Sequence, residues 1–208
     1  MAIEVKPHVR DPERWDSDCE DEAQFWPRAL WIDPGGTTGV SLVWFDPARL
    51  LDKNVPLIRS VIAWWGGYLH GSENMQTHEV TMLVKKYGGP AGLAIGIEDF
   101  ILQSSIKDRH LLAPVRLTAS IEYALWRGLK EHDGEVRKRT WAHKQSANDA
   151  KNVMTDERLK LWGMYTPGPD HIRDATRHSL LWLRRVRAIG TDLLARAHGW
   201  DGDWFDAN

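Results

Sequence analysis

Four side chains in this sequence have the types and settings for chemistry on a phosphate: Asp33, Glu98, His171 and Asp174. Asp33 ends the apolar run Ala29-Leu-Trp-Ile. The small-residue turn Pro34-Gly35-Gly36-Thr37-Thr38 follows, and apolar residues resume at Val40. Glu98 ends a second apolar run, AGLAIGIE over 91–98. Active sites in open α/β sheets gather at strand ends, so two strands delivering carboxylates to one edge mark a candidate site. Two such carboxylates in contact repel and raise a pKa. A divalent cation removes the conflict, because carboxylate oxygens are the preferred ligands of Mg²⁺. His171 and Asp174 stand three apart, on one face of a helix, and His178 continues that face four residues later. The set makes a four-ligand cage for one or two divalent ions, and its imidazole leans the choice toward Mn²⁺ as well as Mg²⁺. The Gly/Thr turn has a second reading, since such a loop can also wrap a nucleotide phosphate.

The elements that must position these groups follow from periodicity and punctuation. Strands are expected at 29–33, 39–45, 57–65, 91–98 and 135–141, the third closed by Gly66-Gly67. The continuous apolar run at 91–98 reads as a buried parallel strand. A helix over 72–87 has Ser72 as N-cap, an apolar side of Met75, Val80, Met82 and Leu83, and Lys85-Lys86 at its C-terminal end. A long helix over 108–131 carries Leu111, Leu112, Val115, Ala119, Ala124, Leu125 and Leu129 at roughly helical spacing. Further helices are expected near 155–163 and over 171–187, the last capped by Asp170, with Arg184, Arg185 and Arg187 on its outer face. The order predicts an α/β fold, a mixed five-stranded sheet flanked by helices.

The chain has 208 residues, which suits one domain with extensions. Residues 1–27 hold eight acids against three bases and read as an acidic N-terminal arm, flexible or loosely docked. Residues 191–208 hold four acids against Arg196 alone and read as a C-terminal tail. The domain between them, 28–190, keeps 23 bases against 17 acids, a net of +6 that is compatible with a polyanion partner. No apolar run reaches the length of a membrane span, and the first residues show no apolar leader core. The lone Cys19 cannot pair internally, so a reducing cytoplasm is the simple expectation. Cys19 is also a poor candidate for a covalent nucleophile. The twelve tryptophans read chiefly as packing groups.

Taken in order, DPGGTTGV, IEDF and HIRDATRHSLLWL resemble the motifs of the RuvC-type Holliday-junction resolvases of the RNase H-like superfamily, including the divergent members encoded by phages. The resemblance spans about 30–187. In that family the first strand ends in Asp-Pro-Gly, the fourth ends in Glu, and the last catalytic helix carries an acid or His three residues before Asp-Ala. The matched positions are Asp33-Pro34-Gly35, Glu98, and His171 with Asp174-Ala175. The resemblance implies two Mg²⁺ or Mn²⁺ ions, with Asp33 bridging both, Glu98 on one, and His171 with Asp174 on the other. It implies hydrolysis of branched DNA to 5′-phosphate and 3′-hydroxyl ends by a homodimer in the cytoplasm of a bacterial or phage-infected cell. The family's base-wedging aromatic stands three after the Glu; here that position is Ile101 and the aromatic is Phe100.

Phe100 is the stacking candidate, and Lys107, Arg109 and Arg116 are phosphate candidates. So are Arg137, Lys138, Arg139 and Lys144 in the run VRKRTWAHK. The helix at 108–131 is the candidate dimer interface. Two alternatives share the fold: a nuclease acting on RNA or flapped DNA, and a non-catalytic nucleic-acid-binding protein. DPGGTTG also resembles the first phosphate loop of the actin and Hsp70 type ATPases, but no second Asp-x-Gly-Thr/Ser loop follows a strand.

Overall fold

The structure, a computed structural model, describes residues 7–11, 15, 26–88, 92–99, 112–131 and 143–198. Its centre is a mixed sheet. β2 (Arg28–Asp33), β3 (Thr38–Phe45) and β4 (Val61–Leu69) form an antiparallel meander. β5 (Leu93–Asp99) lies parallel to β2, and β6 (His143–Ser146) lies parallel to β5. A two-residue strand, β1 (His8–Val9), adds antiparallel to β4, giving the order β1-β4-β3-β2-β5-β6. The sheet therefore has six strands where five are expected. Two of the six fall outside the expected ranges: β6 begins beyond 135–141, and β1 comes from the acidic arm, where His8 stacks on Trp64 and Asp11 pairs with Arg49 at 2.7 Å. Arg10 donates to the Trp162 carbonyl as well, so residues 7–11 are docked.

β4 also departs from expectation. Residues 57–60 form a single 3₁₀ turn, and the strand runs through Gly66-Gly67 to Leu69. The two glycines serve packing here. A Cβ on Gly66 would lie 2.9 Å from Ile172 and from the Trp64 ring, and one on Gly67 would lie 2.4 Å from the Trp65 ring. Bulky rings and a helix occupy the space that side chains would fill, which is a known use of strand glycine.

Side chains alternate between two faces. One face carries Leu30, Ile32, Val40, Leu42, Trp44, Ile95 and Ile97 under α2 (Glu73–Tyr87) and α3 (Ala113–Glu131). Ser72 caps α2 as expected, its Oγ accepting from the Met75 amide at 3.3 Å. The buried side of α2 is Gln76, Val80 and Leu83, while Met75 and Met82 are exposed. In α3 the buried stripe is Leu117, Ile121 and Leu125, one position per turn. Tyr123 and Trp126 face outward. Of the stripe expected to form a dimer interface, only Leu125 is buried among the described residues: Ala119 is exposed, and Leu112, Val115 and Ala124 are half-buried.

The other face carries Ala29, Trp31, Val43, Phe45, Trp64 and Ala94 under α6 (Asp170–Ile189). α4 (Ala147–Val153) packs on α6, and α7 (Thr191–His198) packs on α6 and β5. Leu194, Ala197 and His198 are buried, so residues 191–198 of the expected tail complete this layer. α5 (Asp156–Leu161) is shorter than the expected 155–163 and is capped by Thr155. Arg187 is half-buried and donates to the carbonyls of Leu50 and Val55, both at 2.8 Å, instead of facing solvent. α1 (Pro47–Leu51) joins β3 to the 3₁₀ turn, with Asp46 as its N-cap. The strand expected at 135–141 lies outside the described residues.

α6 approaches the sheet so closely that β3 must be bare beneath its first turn. A Cβ on Gly39 would lie 2.0 Å from the His171 carbonyl oxygen. Gly36, two residues before β3, meets nothing within 4 Å. Gly39→Ala is therefore expected to destabilise the fold by about 3 kcal/mol or more, and Gly36→Ala to stay within about 0.5 kcal/mol. Urea denaturation of both variants checks this; equal midpoints would show that α6 can lift off without cost.

Candidate functional site

The site is a row of residues across one edge of the sheet. The register pairs Asp33 with Gly39, Gly39 with Tyr68, and Glu98 with Gln145. β2 and β5 run side by side with Ile32 opposite Ile97, so Asp33 and Glu98 are the next residues along neighbouring strands. Residues in register share a face, and here it is the face covered by α6. Both carboxylates expected at strand ends thus arrive on one edge and one face.

α6 brings the second half. Its first residue is Asp170, which stands inside the helix and not at the expected cap position. Asp170 pairs with Arg173, whose guanidinium also donates to the carbonyls of Thr166 at 3.1 Å and Gly168 at 2.8 Å. This ties the Pro-Gly-Pro-Asp turn to the helix it starts. His171 then reaches Asp33, with Nδ1 at 2.7 Å from Oδ2. A Cβ on Gly35 would lie 3.1 Å from the His171 ring, which would have to give by a few tenths of an ångström.

Asp174 and Glu98 have other partners. Asp174 is buried, bonded to Arg177 through Oδ1 and to Lys151 at 3.0 Å through Oδ2. Arg177 bonds Asp156 and the Met154 carbonyl as well. Glu98 Oε2 lies 3.0 Å from Nε2 of His178. The four expected ligands therefore share one neighbourhood, and only Asp33 and His171 touch. Among the described residues, no three His, Cys, Asp or Glu side chains form a ready-made metal cage.

The electrostatics of the neighbourhood follow from burial and from the crowding of its acids. Asp33 is pushed up from 3.8 to about 6, first by burial, with the His171 hydrogen bond opposing and the nearby Glu98 and Asp174 adding to the rise. His171 is raised, first by its hydrogen bond to Asp33, against the effect of its own burial. Three carboxylates and an imidazole in this state form a donor set suited to a hard divalent ion, whose charge would relieve Asp33. The donor chemistry thus fits Mg²⁺ or Mn²⁺, with Asp33, Glu98, Asp174 and His171 as the residues that would hold it.

The turn itself is clamped from α2. Thr38 Oγ1 donates to Gln76 Oε1 at 2.5 Å, and Gln76 Nε2 donates to the carbonyls of Gly36 at 3.2 Å and Gly71 at 2.9 Å. A cleft of about 480 Å³ opens beside it, lined by Gly35, Gly36, Gly71, Ser72 and Asn74 among others. Gln76, Gln145 and Lys151 belong to no motif in the sequence, and Arg177 lies within HIRDATRHSLLWL with no role assigned to it there. A polar residue at a buried helix position is the available signal for Gln76. Nothing announces Lys151, because α4 has no apolar periodicity.

Of the expected DNA contacts, Arg116 forms an exposed ion pair with Glu73 at 2.5 Å, and Lys144 one with Glu122 at 3.0 Å. Exposed pairs of this kind are worth little. Phe100, Lys107, Arg109, Arg137, Lys138 and Arg139 lie outside the described residues. Among the described residues, no helix is long and apolar enough to cross a membrane. Comparison of the chain with protein-family models, curated proteins and solved structures finds no match, so the site is read from its own geometry.

The raised Asp33 makes a signed prediction. The folded state holds the Asp33 proton to about pH 6, whereas an ordinary aspartate loses it near 3.8. The folded state therefore binds more protons in that window, and stability falls as pH rises through it. The displacement is worth roughly 3 kcal/mol. Raised His171 has the same sign and extends the fall above pH 6.5. Asp33→Asn removes both contributions, so its stability relative to wild type should rise by roughly 3 kcal/mol between pH 4 and pH 7 in metal-free buffer. Urea melts at the two pH values measure it, and a constant difference would sink the assignment.

Proposed function

We propose that this protein is a metal-dependent endonuclease of the RNase H-like kind, acting on branched DNA such as a four-way junction. The observation that carries the reading is the pairing of Asp33 and Glu98 on adjacent strand ends beneath the His171 and Asp174 turn of α6. A mixed sheet with helices on both faces supports it, as do the three motifs in order. Mg²⁺ or Mn²⁺, held by these residues, would supply an activated water and charge stabilisation for the leaving 3′-oxygen.

The chain's own groups do the rest. His171 Nδ1 and Asp33 Oδ2 are hydrogen-bonded at 2.7 Å, so the imidazole keeps the buried carboxylate aligned. Gly35 and Gly36 leave the turn without side chains where a phosphodiester backbone would approach. Arg116 and Lys144, with the bases at 107, 109 and 137–139, would contact phosphates along the strand. A homodimer would place two such sites on opposed strands of one junction.

A second reading has its own support. Asp174 is already neutralised by Arg177 and Lys151, and Glu98 already holds an imidazole. Those pairs suit a nucleic-acid-binding protein that does not cut.

A cleavage panel separates the readings. Four-way, three-way, flap and linear DNA and an RNA duplex are incubated with Mg²⁺ or Mn²⁺. The nuclease reading expects cleavage of the four-way junction, and a loss of at least about 100-fold in Asp33→Asn and Glu98→Gln with junction binding retained. Wild-type cleavage by either variant would rule out the carboxylate site. Binding without cleavage on every substrate would favour the second reading.

A further inference from the structure

The orientation of Glu98 is set by His178, to which the metal-site reading gives no part. His178 places Nε2 3.0 Å from Glu98 Oε2 and Nδ1 3.1 Å from the side-chain oxygen of Gln145. His178 is fully buried, and Gln145 is nearly so. The imidazole lies against the Trp31 indole, with planes 11° apart and centroids at 5.5 Å. The indole in turn occupies the space over Gly96, where a Cβ would fall 2.4 Å from its ring. Gly96 is two residues before Glu98 on the same strand and the same face. Glu98 is therefore aimed by a stack that begins on its own strand.

The chemistry of the contacts is specific. A carboxylate accepts, so Nε2–H donates to Glu98. Gln145 can turn either end of its amide to Nδ1, and so fixes the ring in either protonation state. Gln145 also stands opposite Glu98 in the β5–β6 register, so the relay closes on itself within two adjacent strands. An imidazole N–H orients a carboxylate without the permanent positive charge of a guanidinium or ammonium. Arg177 and Lys151 at Asp174 do the opposite and cancel charge. Residues that hold metal-binding carboxylates by hydrogen bonds set metal affinity although they do not touch the ion.

We infer that His178 is a positioning residue: with Gln145 it forms a carboxylate–imidazole–amide relay that fixes one oxygen of Glu98, and so the direction of the other, for a divalent cation. The inference rests on the metal-site reading above and assigns His178 and Gln145 a role in it.

The test is Mn²⁺ binding by calorimetry to the full chain, with folding of each variant followed by circular dichroism and thermal unfolding. Wild type should bind Mn²⁺, and Glu98→Gln should weaken binding sharply. His178→Ala should weaken it by about 10–100-fold. His178→Gln, whose amide can replace the Nε2–H donor, should recover part of that loss. Gln145→Ala, which frees the far nitrogen and leaves Glu98 untouched, should cost several-fold. Adding His178→Ala to Glu98→Gln should cost nothing more, because both remove the same ligand.

If His178→Ala fails to fold, His178→Gln and Gln145→Ala carry the test: the relay requires clearly tighter binding from the first than from Glu98→Gln, and weakened binding from the second. Folded His178→Ala within twofold of wild type, or His178→Gln no better than Ala, would overturn the relay alone. Absence of Mn²⁺ binding by wild type, or none lost in Glu98→Gln, would overturn the metal-site reading and the relay with it.

Discussion

The first turn of α6 rests on the backbone of β3 at Gly39, closer than any side chain would permit. That contact sets the height of the helix over the sheet. At this height His171 can reach Asp33, Ile172 can lie over Gly66, and Arg177 can bridge from Asp174 to the loop before α5. Raised by the width of one methyl group, α6 would lose the Asp33 contact first, because a hydrogen bond weakens over a few tenths of an ångström while apolar packing slackens gradually. Three glycines of β3, β4 and the turn, Gly39, Gly66 and Gly35, thus act as a seat for one helix. Their role is the absence of atoms.

The site holds its acids in different electrical states. Asp33 is buried with one imidazole and remains reluctant to ionise. Asp174 lies between two full positive charges. Glu98 is held by His178, which bonds through both ring nitrogens. A protein that only needed these acids for stability gains little from crowding them, since replacing buried charge by apolar packing is often neutral or favourable. The arrangement concentrates negative charge at one sheet edge and supplies protein cations to only part of it.

Much of the site is legible in the sequence, and the rest is hidden for physical reasons. Asp33 and Glu98 can be read because each ends a run of apolar residues, and a buried strand that stops on a carboxylate must present that charge at the edge of its sheet. Their adjacency cannot, since the parallel pairing of β2 with β5 joins segments separated by α2. The glycines of β4 read as a stop, because glycine usually punctuates; Trp64 and Trp65 beside them hold the contrary signal, rings that need bare backbone nearby. Hydrophobicity alone points Met75 and Met82 inward, yet Gln76 takes the inward position because two carbonyls and a hydroxyl there need its amide. β1 is invisible: two residues in an acidic arm carry no periodicity, and their pairing depends on a free strand edge and a tryptophan far along the chain.

The contact between Asp33 and His171 joins residues 138 positions apart. On a ribosome the meander β2–β3–β4 emerges complete while α6 is still unmade, and chains of this size fold in stages as they appear. Throughout that interval the Asp33 carboxylate is wetted and ionises like any other. Its proton is taken up only when the late helix arrives and expels the water. The candidate site is therefore completed only with α6, and a nascent chain cannot carry a finished site before that helix has been synthesised.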